Sequence, residues 1–183
     1  MPVEKKFIPK KGIDIEEGSY IGLFAGLIHL GIQRNEYQGE VSYKDQVLLK
    51  FELPDILLED GRPIIITKRE TNSGGAKSNM LKLVKALSNS SDITNGVDYE
   101  ELVGKPLMLD IKHSAKGSAK ISGYMPVPKH LKAGIKPLMN EPVLLFDVEH
   151  ISDKELETMP EWLRELINKR VQDEGNVEEG ANY

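Results

Sequence analysis

Hydrophobic and polar positions alternate along most of the first 130 residues, and the period is that of strands. Gly18 to Gln33 is a long apolar run broken by glycine at 18, 22, 26 and 31. Glycine at every fourth or fifth position is costly in a helix, whereas in a strand it marks bends and close backbone approach. The run is therefore expected to be a long, coiled first strand, of the kind that pairs on both sides in a small barrel. Tyr43, Val47, Leu49, Phe51 and Leu53 then share one face of a second strand, with Lys44, Gln46, Lys50 and Glu52 on the other, a half-buried pattern. Glu59-Asp60-Gly61-Arg62-Pro63 is a turn signal, and Ile64 to Thr71 completes a hairpin as the third strand.

The period changes to that of a helix over Ala76 to Leu87, where Met80, Leu81, Leu83, Val84 and Leu87 form an apolar stripe and Lys77, Lys82 and Lys85 lie mostly off it. A polar loop over 88–97 leads to a short helical turn near Tyr99–Leu102, ended by Gly104. Pro106 to His113 alternates again (Leu107, Leu109 and Ile111 against Met108, Asp110 and Lys112), and a turn at 114–118 returns the chain into Lys120 to Val127 as a second hairpin. Four prolines and one glycine make 126–142 an extended connector, followed by a short edge strand over 143–149. Ser152 to Glu155 fits a capping box, and Pro160 fits the first position of a C-terminal helix. The residues from Gly175 onward hold too little apolar surface to fold.

Five strands with a helix between the third and fourth is the order of an OB-fold, a five-stranded Greek-key barrel. The expected architecture is mainly β: a barrel domain with its connector over 1–150, a helix over 151–172, and a disordered acidic tail over 173–183. No internal repeat accompanies it. The N-terminal Met1 to Lys6 lacks an apolar segment after its lysines, and no run approaches bilayer length, so the expectation is a cytoplasmic chain without membrane contact.

Charge sharpens this outline. The net charge is −5, yet residues 1–150 hold 20 Lys and Arg against 20 Asp and Glu, while 151–183 hold 4 against 9. The acidity belongs to the tail, and a neutral body can still bind phosphate if its cations gather on one face. Cysteine is absent, so disulfides, thiolate metal sites and a cysteine nucleophile are excluded. His29, His113, His130 and His150 have no metal-ligand spacing, and no cofactor motif is present. Gly74-Gly75 with Lys77 before a helix can cradle a phosphate, although a plain loop is the simpler reading and GxxxxGK[ST] is missing. Pro54-Asp55 with Asp110-Ile111-Lys112 imitates the PD…DxK pattern of metal-dependent nucleases, but solvent-facing strand alternation produces the same residues.

Binding to a single nucleic-acid strand requires cations along a groove and aromatic faces for stacking. The candidates are Lys44 and Lys50 on the second strand, Lys68 and Arg69 on the third, Lys77 before the helix, Lys112 on the fourth strand, and Lys120 with Tyr124 on one face of the fifth. Tyr37 and Tyr43, flanking the loop before the second strand, are the other candidate stacking residues. Each lysine alone reads equally as solvated surface. Their recurrence on adjacent strands is what points to a shared surface.

Several soft motifs in order carry a resemblance: Leu30-Gly31-Ile32-Gln33; Asp60-Gly61-Arg62-Pro63 followed by Thr67-Lys68-Arg69; Ser78-Asn79-Met80-Leu81-Lys82; Leu102 to Pro106; Met125-Pro126-Val127-Pro128; and Leu156 to Trp162. In these the chain resembles phage-encoded single-stranded DNA-binding proteins with an OB-fold. The resemblance implies non-catalytic, sequence-independent binding of single-stranded DNA in phage replication or recombination, within the host cytoplasm. It leaves monomer and dimer both open. It further implies that the tail residues Asp173, Glu174, Glu178, Glu179 and Tyr183 contact replication or recombination partners; a passive terminus is the alternative. Glu70-Thr71-Asn72 departs from the family pattern, which has an aromatic and a hydroxyl residue there. Two other readings stand beside it: a phage structural or assembly protein using the barrel for interaction, and the nuclease.

Overall fold

The computed structural model describes residues 14–90 and 93–172. Among these residues the chain forms six strands, β1 (Gly18–Tyr37), β2 (Glu40–Leu57), β3 (Pro63–Thr71), β4 (Pro106–His113), β5 (Ala119–Met125) and β6 (Val143–Leu145). Four helices accompany them, α1 (Asn79–Ser88), α2 (Tyr99–Leu102), α3 (Asp153–Glu157) and α4 (Glu161–Asn168). The sheet runs β3-β2-β1-β4-β5, antiparallel throughout, and β6 adds to β1 in parallel beyond the end of β4.

The glycines of β1 explain how one strand serves three neighbours. Register shifts between Phe24 and Gly26 and between His29 and Gly31 leave Ala25 and Leu30 as extra residues against β2. Such bulges bend a strand and turn its side chains. A Cβ on Gly26 would lie 2.1 Å from the Val143 carbonyl oxygen, so only glycine lets β6 dock there. Gly31 occupies the left-handed region, with φ +72°, under Val148 and Arg170.

Two cores result. On the inner side, residues of β1 to β5 pack with Met80, Leu83, Ala86 and Leu87 of α1 and with Leu102 of α2. On the outer side, Ile28, Leu30 and Leu48 are covered by Val148, Leu163 and Ile167. β2 is thus buried on both faces over much of its length, not half-buried, because the C-terminal residues form a second layer that strand periodicity does not announce. The connector is tied down by Glu52, which is fully buried and accepts hydrogen bonds from the Met139 and Asn140 backbone N–H groups and from Asn140 Nδ2.

The expected closed barrel is not seen in the backbone hydrogen bonding, because the path is open between β3 and β5. The sheet is nonetheless strongly curled. In a flat sheet the edges of five strands would lie about 19 Å apart, yet Tyr124 on β5 donates to Glu70 on β3 at 2.9 Å. Side chains span this gap and α1 packs against β3, β4 and β5 beside it.

The C-terminal segment differs from the single helix expected over 151–172. The capping box of Ser152 and Glu155 opens only the short α3, and Pro160 is the cap residue before α4, not its first turn. Proline has no N–H and restricts the residue before it, so one continuous helix cannot run through 160. The strand expected over 143–149 stops at Leu145 and gives way to a 3-10 turn at Val148–His150.

Candidate nucleic-acid interface

The faces of β3 follow from its pairing with β2. Lys68 sits opposite Leu49 and Glu70 opposite Val47, both inner-core positions, whereas Arg69 sits opposite Leu48 and Thr67 opposite Lys50 on the outer face. Lys68 and Arg69, expected together at a binding surface, point to opposite sides. Lys68 Nζ lies 2.8 Å from Glu70 Oε1 and 5.3 Å from the ring centre of Tyr124. Glu70 also accepts from Asn79 Nδ2 at 3.0 Å, so one buried carboxylate joins β3, β5 and the first turn of α1.

Tyr124 requires the larger correction. β5 carries a bulge at Ser122, since Gly123 pairs with Asp110 while Ile121 pairs with Ile111. The extra residue turns Tyr124 inward, although simple alternation from exposed Lys120 would place it outside. Its ring packs on Phe51 at 5.9 Å, and burial, then the Glu70 charge and hydrogen bond, push its hydroxyl pKa well up. The phenol is a core group, 9% exposed, rather than a solvent-facing platform.

On the outer face the expected cations do gather. Lys44, Lys50 and Arg69 all lie on that side of β2–β3. Arg69 donates to Gln46 Oε1, and burial lowers its pKa. Lys50 is half-buried, burial lowers its pKa, and among the described residues no acceptor meets its ammonium. An anion delivered there would stabilise the charged form. Beside this face stands α4, and the two flank a groove of about 490 Å³ lined by Leu48, Thr67, Arg69, Trp162, Glu165 and Lys169, and also by Leu166 and by Lys68, whose ammonium is nonetheless turned to Glu70. Trp162, the chain's single tryptophan, is 50% exposed. Positions 162, 165 and 169 share one helix face by their spacing of three and seven.

Trp162 and Lys169 were absent from the sequence candidates. The helix reads in isolation as an amphipathic appendage, and only its docking through Leu163 and Ile167 turns Trp162 toward β3. The usable signal in the sequence is a lone tryptophan with a lysine seven residues on.

The remaining candidates occupy other places. Tyr37 and Tyr43 stand on a two-stranded ribbon, because β3 pairs with β2 only from Gln46 onward and β6 leaves β1 at Ile28. Gln38 and Gly39 both have positive φ, the requirement of a type I′ hairpin turn. Tyr37 beside this turn is 75% exposed and Tyr43 is half-buried. Lys112 and Lys120 face each other across β4 and β5 on the outward side, outside the groove. Lys77 is exposed ahead of α1, whose first turn is capped by Ser78 through the Leu81 N–H. Gly75 N–H is likewise engaged, by Ser73 Oγ. The acidic tail residues Asp173, Glu174, Glu178, Glu179 and Tyr183 lie outside the described residues.

The nuclease residues come from β2 and β4, which flank β1, and Asp110 is hydrogen-bonded by Ser122 Oγ. Among the described residues no three His, Cys, Asp or Glu side chains converge to hold a metal ion. His29 is engaged at both ring nitrogens, with Asp45 at 2.8 Å and the Val148 N–H at 3.2 Å. Among the described residues, too, no helix is long and apolar enough to cross a membrane. No protein-family model matches the chain, and no curated protein is significantly similar to it.

Proposed function

We propose that the chain binds single-stranded DNA without catalysis, through the outer face of β2–β3 and the facing side of α4. The observation that carries this reading is the groove in which Arg69, Lys169 and the exposed indole of Trp162 converge, on the sheet face that also holds Lys44 and the acceptorless Lys50. Cations tracking a backbone beside an aromatic platform are what sequence-tolerant single-strand binding needs. In this reading the curled sheet is an OB-fold-like barrel whose β3–β5 seam is held by Glu70, Tyr124 and Lys68, and the setting is phage replication or recombination in the host cytoplasm. The Tyr37 ribbon extends the contact beyond the groove.

Because Trp162 is the only tryptophan, its fluorescence reports the groove directly. Oligo-dT is expected to quench it, and log K is expected to fall with log salt at a slope of about −2 if three cations each meet a phosphate. Absence of quenching together with no gel shift, or equal affinity for duplex and single strand, would overturn the reading.

A further inference from the structure

One residue of the groove is poorly suited to a phosphate path. Glu165 lines it between Trp162 and Lys169, and among the described residues its carboxylate has neither hydrogen bond nor ion pair, although Lys169 is one turn away. A free carboxylate repels the backbone that Arg69 and Lys169 attract. What it can accept from is the donor edge of a base. Glu165 is one turn on from Trp162 and lines the same groove, about 4.5 Å along the axis, so the edge of a base stacked on the indole can come within its reach. Guanine presents N1–H and N2–H side by side, matching both carboxylate oxygens. Cytosine and adenine offer one amino group each. Thymine offers a single N3–H between two carbonyl oxygens, which repel a carboxylate.

We propose that Glu165 is a specificity-determining residue that biases the Trp162 stacking position toward amino-bearing bases, guanine foremost, and against thymine. The inference rests on the single-strand binding proposed above and deepens it, because a site with only cations and an indole would not discriminate.

The test compares alternating dT-dG, oligo-dC and oligo-dT of equal length, by Trp162 quenching and by competition, on the intact chain and on Glu165→Gln and Glu165→Ala. The wild type is expected to favour alternating dT-dG over oligo-dT by about five- to tenfold, the low end of what one two-pronged base contact discriminates. Oligo-dC should fall between them. Both substitutions should bring the ratio close to one, mostly by tightening oligo-dT, with quenching retained. Equal tightening on all three strands would make Glu165 a general repeller of phosphate and overturn the inference, as would a wild type without preference. Failure to bind any strand would instead refute the binding reading itself.

Discussion

Replacing Glu70 with alanine removes the acceptor at which β3, β5 and α1 meet. The carboxylate is 7% exposed and takes hydrogen bonds or ion contacts from Lys68 at 2.8 Å, Tyr124 at 2.9 Å and Asn79 at 3.0 Å. The buried Tyr124 hydroxyl loses the hydrogen-bond partner it has among the described residues, at a cost of about 1–3 kcal/mol for an unsatisfied buried group. Lys68 is 24% exposed and can turn toward water, so its loss falls well short of the roughly 3–5 kcal/mol of a fully buried broken pair, at about 1–2 kcal/mol. Asn79 is exposed and its amide re-solvates at little cost. The sum is about 2–5 kcal/mol against a typical total of roughly 5–15 kcal/mol. Urea denaturation followed by circular dichroism should show a lower midpoint with an unchanged slope, the mark of lost stability in an intact fold. Glu70→Gln, which keeps one accepting oxygen, should lose about half as much. A loss under about 0.5 kcal/mol for Glu70→Ala, the scale of ordinary surface changes, would refute the claim that side chains hold the seam.

Three further outcomes follow from other parts of the molecule. Arg69→Ala and Lys169→Ala should each make the salt slope of single-strand binding shallower by about 0.7, measured by Trp162 quenching, whereas Lys68→Ala should leave it unchanged; a slope that responds only to Lys68 would place the groove on the wrong face. The raised pKa of Tyr124 has a definite sign: the folded state holds the phenol proton where the unfolded chain releases it, so this contribution is complete below tyrosine's ordinary value near 10 and declines as pH rises above it. Wild type should therefore lose more stability than Tyr124→Phe between about pH 9 and 11, and equal losses in paired urea titrations would remove Tyr124 from the account. Glu52→Ala removes the buried acceptor that ties the exposed Met139 and half-buried Asn140 backbone to the sheet, so limited proteolysis should cut the connector near residue 139 faster than in the wild type; protection equal to wild type would show that the connector is held elsewhere.

Most of the strand order was legible because it depends on local rules. The alternation of Leu107, Leu109 and Ile111 put all three in the inner core, the Asp60–Pro63 turn formed where it was read, and the Ser152 capping box is present in full. The site was only half legible. Lys44, Lys50 and Arg69 share a face as their strands' period-two spacing requires, but Lys68, the neighbour of Arg69, must by the same rule face the other way. Two adjacent cations in a strand cannot both serve one surface, so that separation was readable from the sequence.

What could not be read depends on contacts between distant residues. Ser122 does not differ in kind from its neighbours, yet its bulge decides that Tyr124 is a core group and not a stacking platform. That inward turn gives Glu70 its donor, and an acid at this position is what the seam needs. An aromatic at 70 would leave Tyr124 and Lys68 without an acceptor at the seam. An exposed aromatic face is offered instead at Trp162, once Leu163 and Ile167 seat α4 on the outer core. The acid at Glu70 holds the inner seam and the tryptophan on α4 faces the outer groove, so the two serve opposite sides of the sheet. Changes to Arg69 or Lys169 in the groove can alter binding without touching the seam, whereas Glu70→Ala should weaken the fold while leaving Trp162, Arg69 and Lys169 able to meet DNA at low denaturant. If Glu70→Ala abolished binding while the fold stayed intact, the inner face would have to be part of the interface after all.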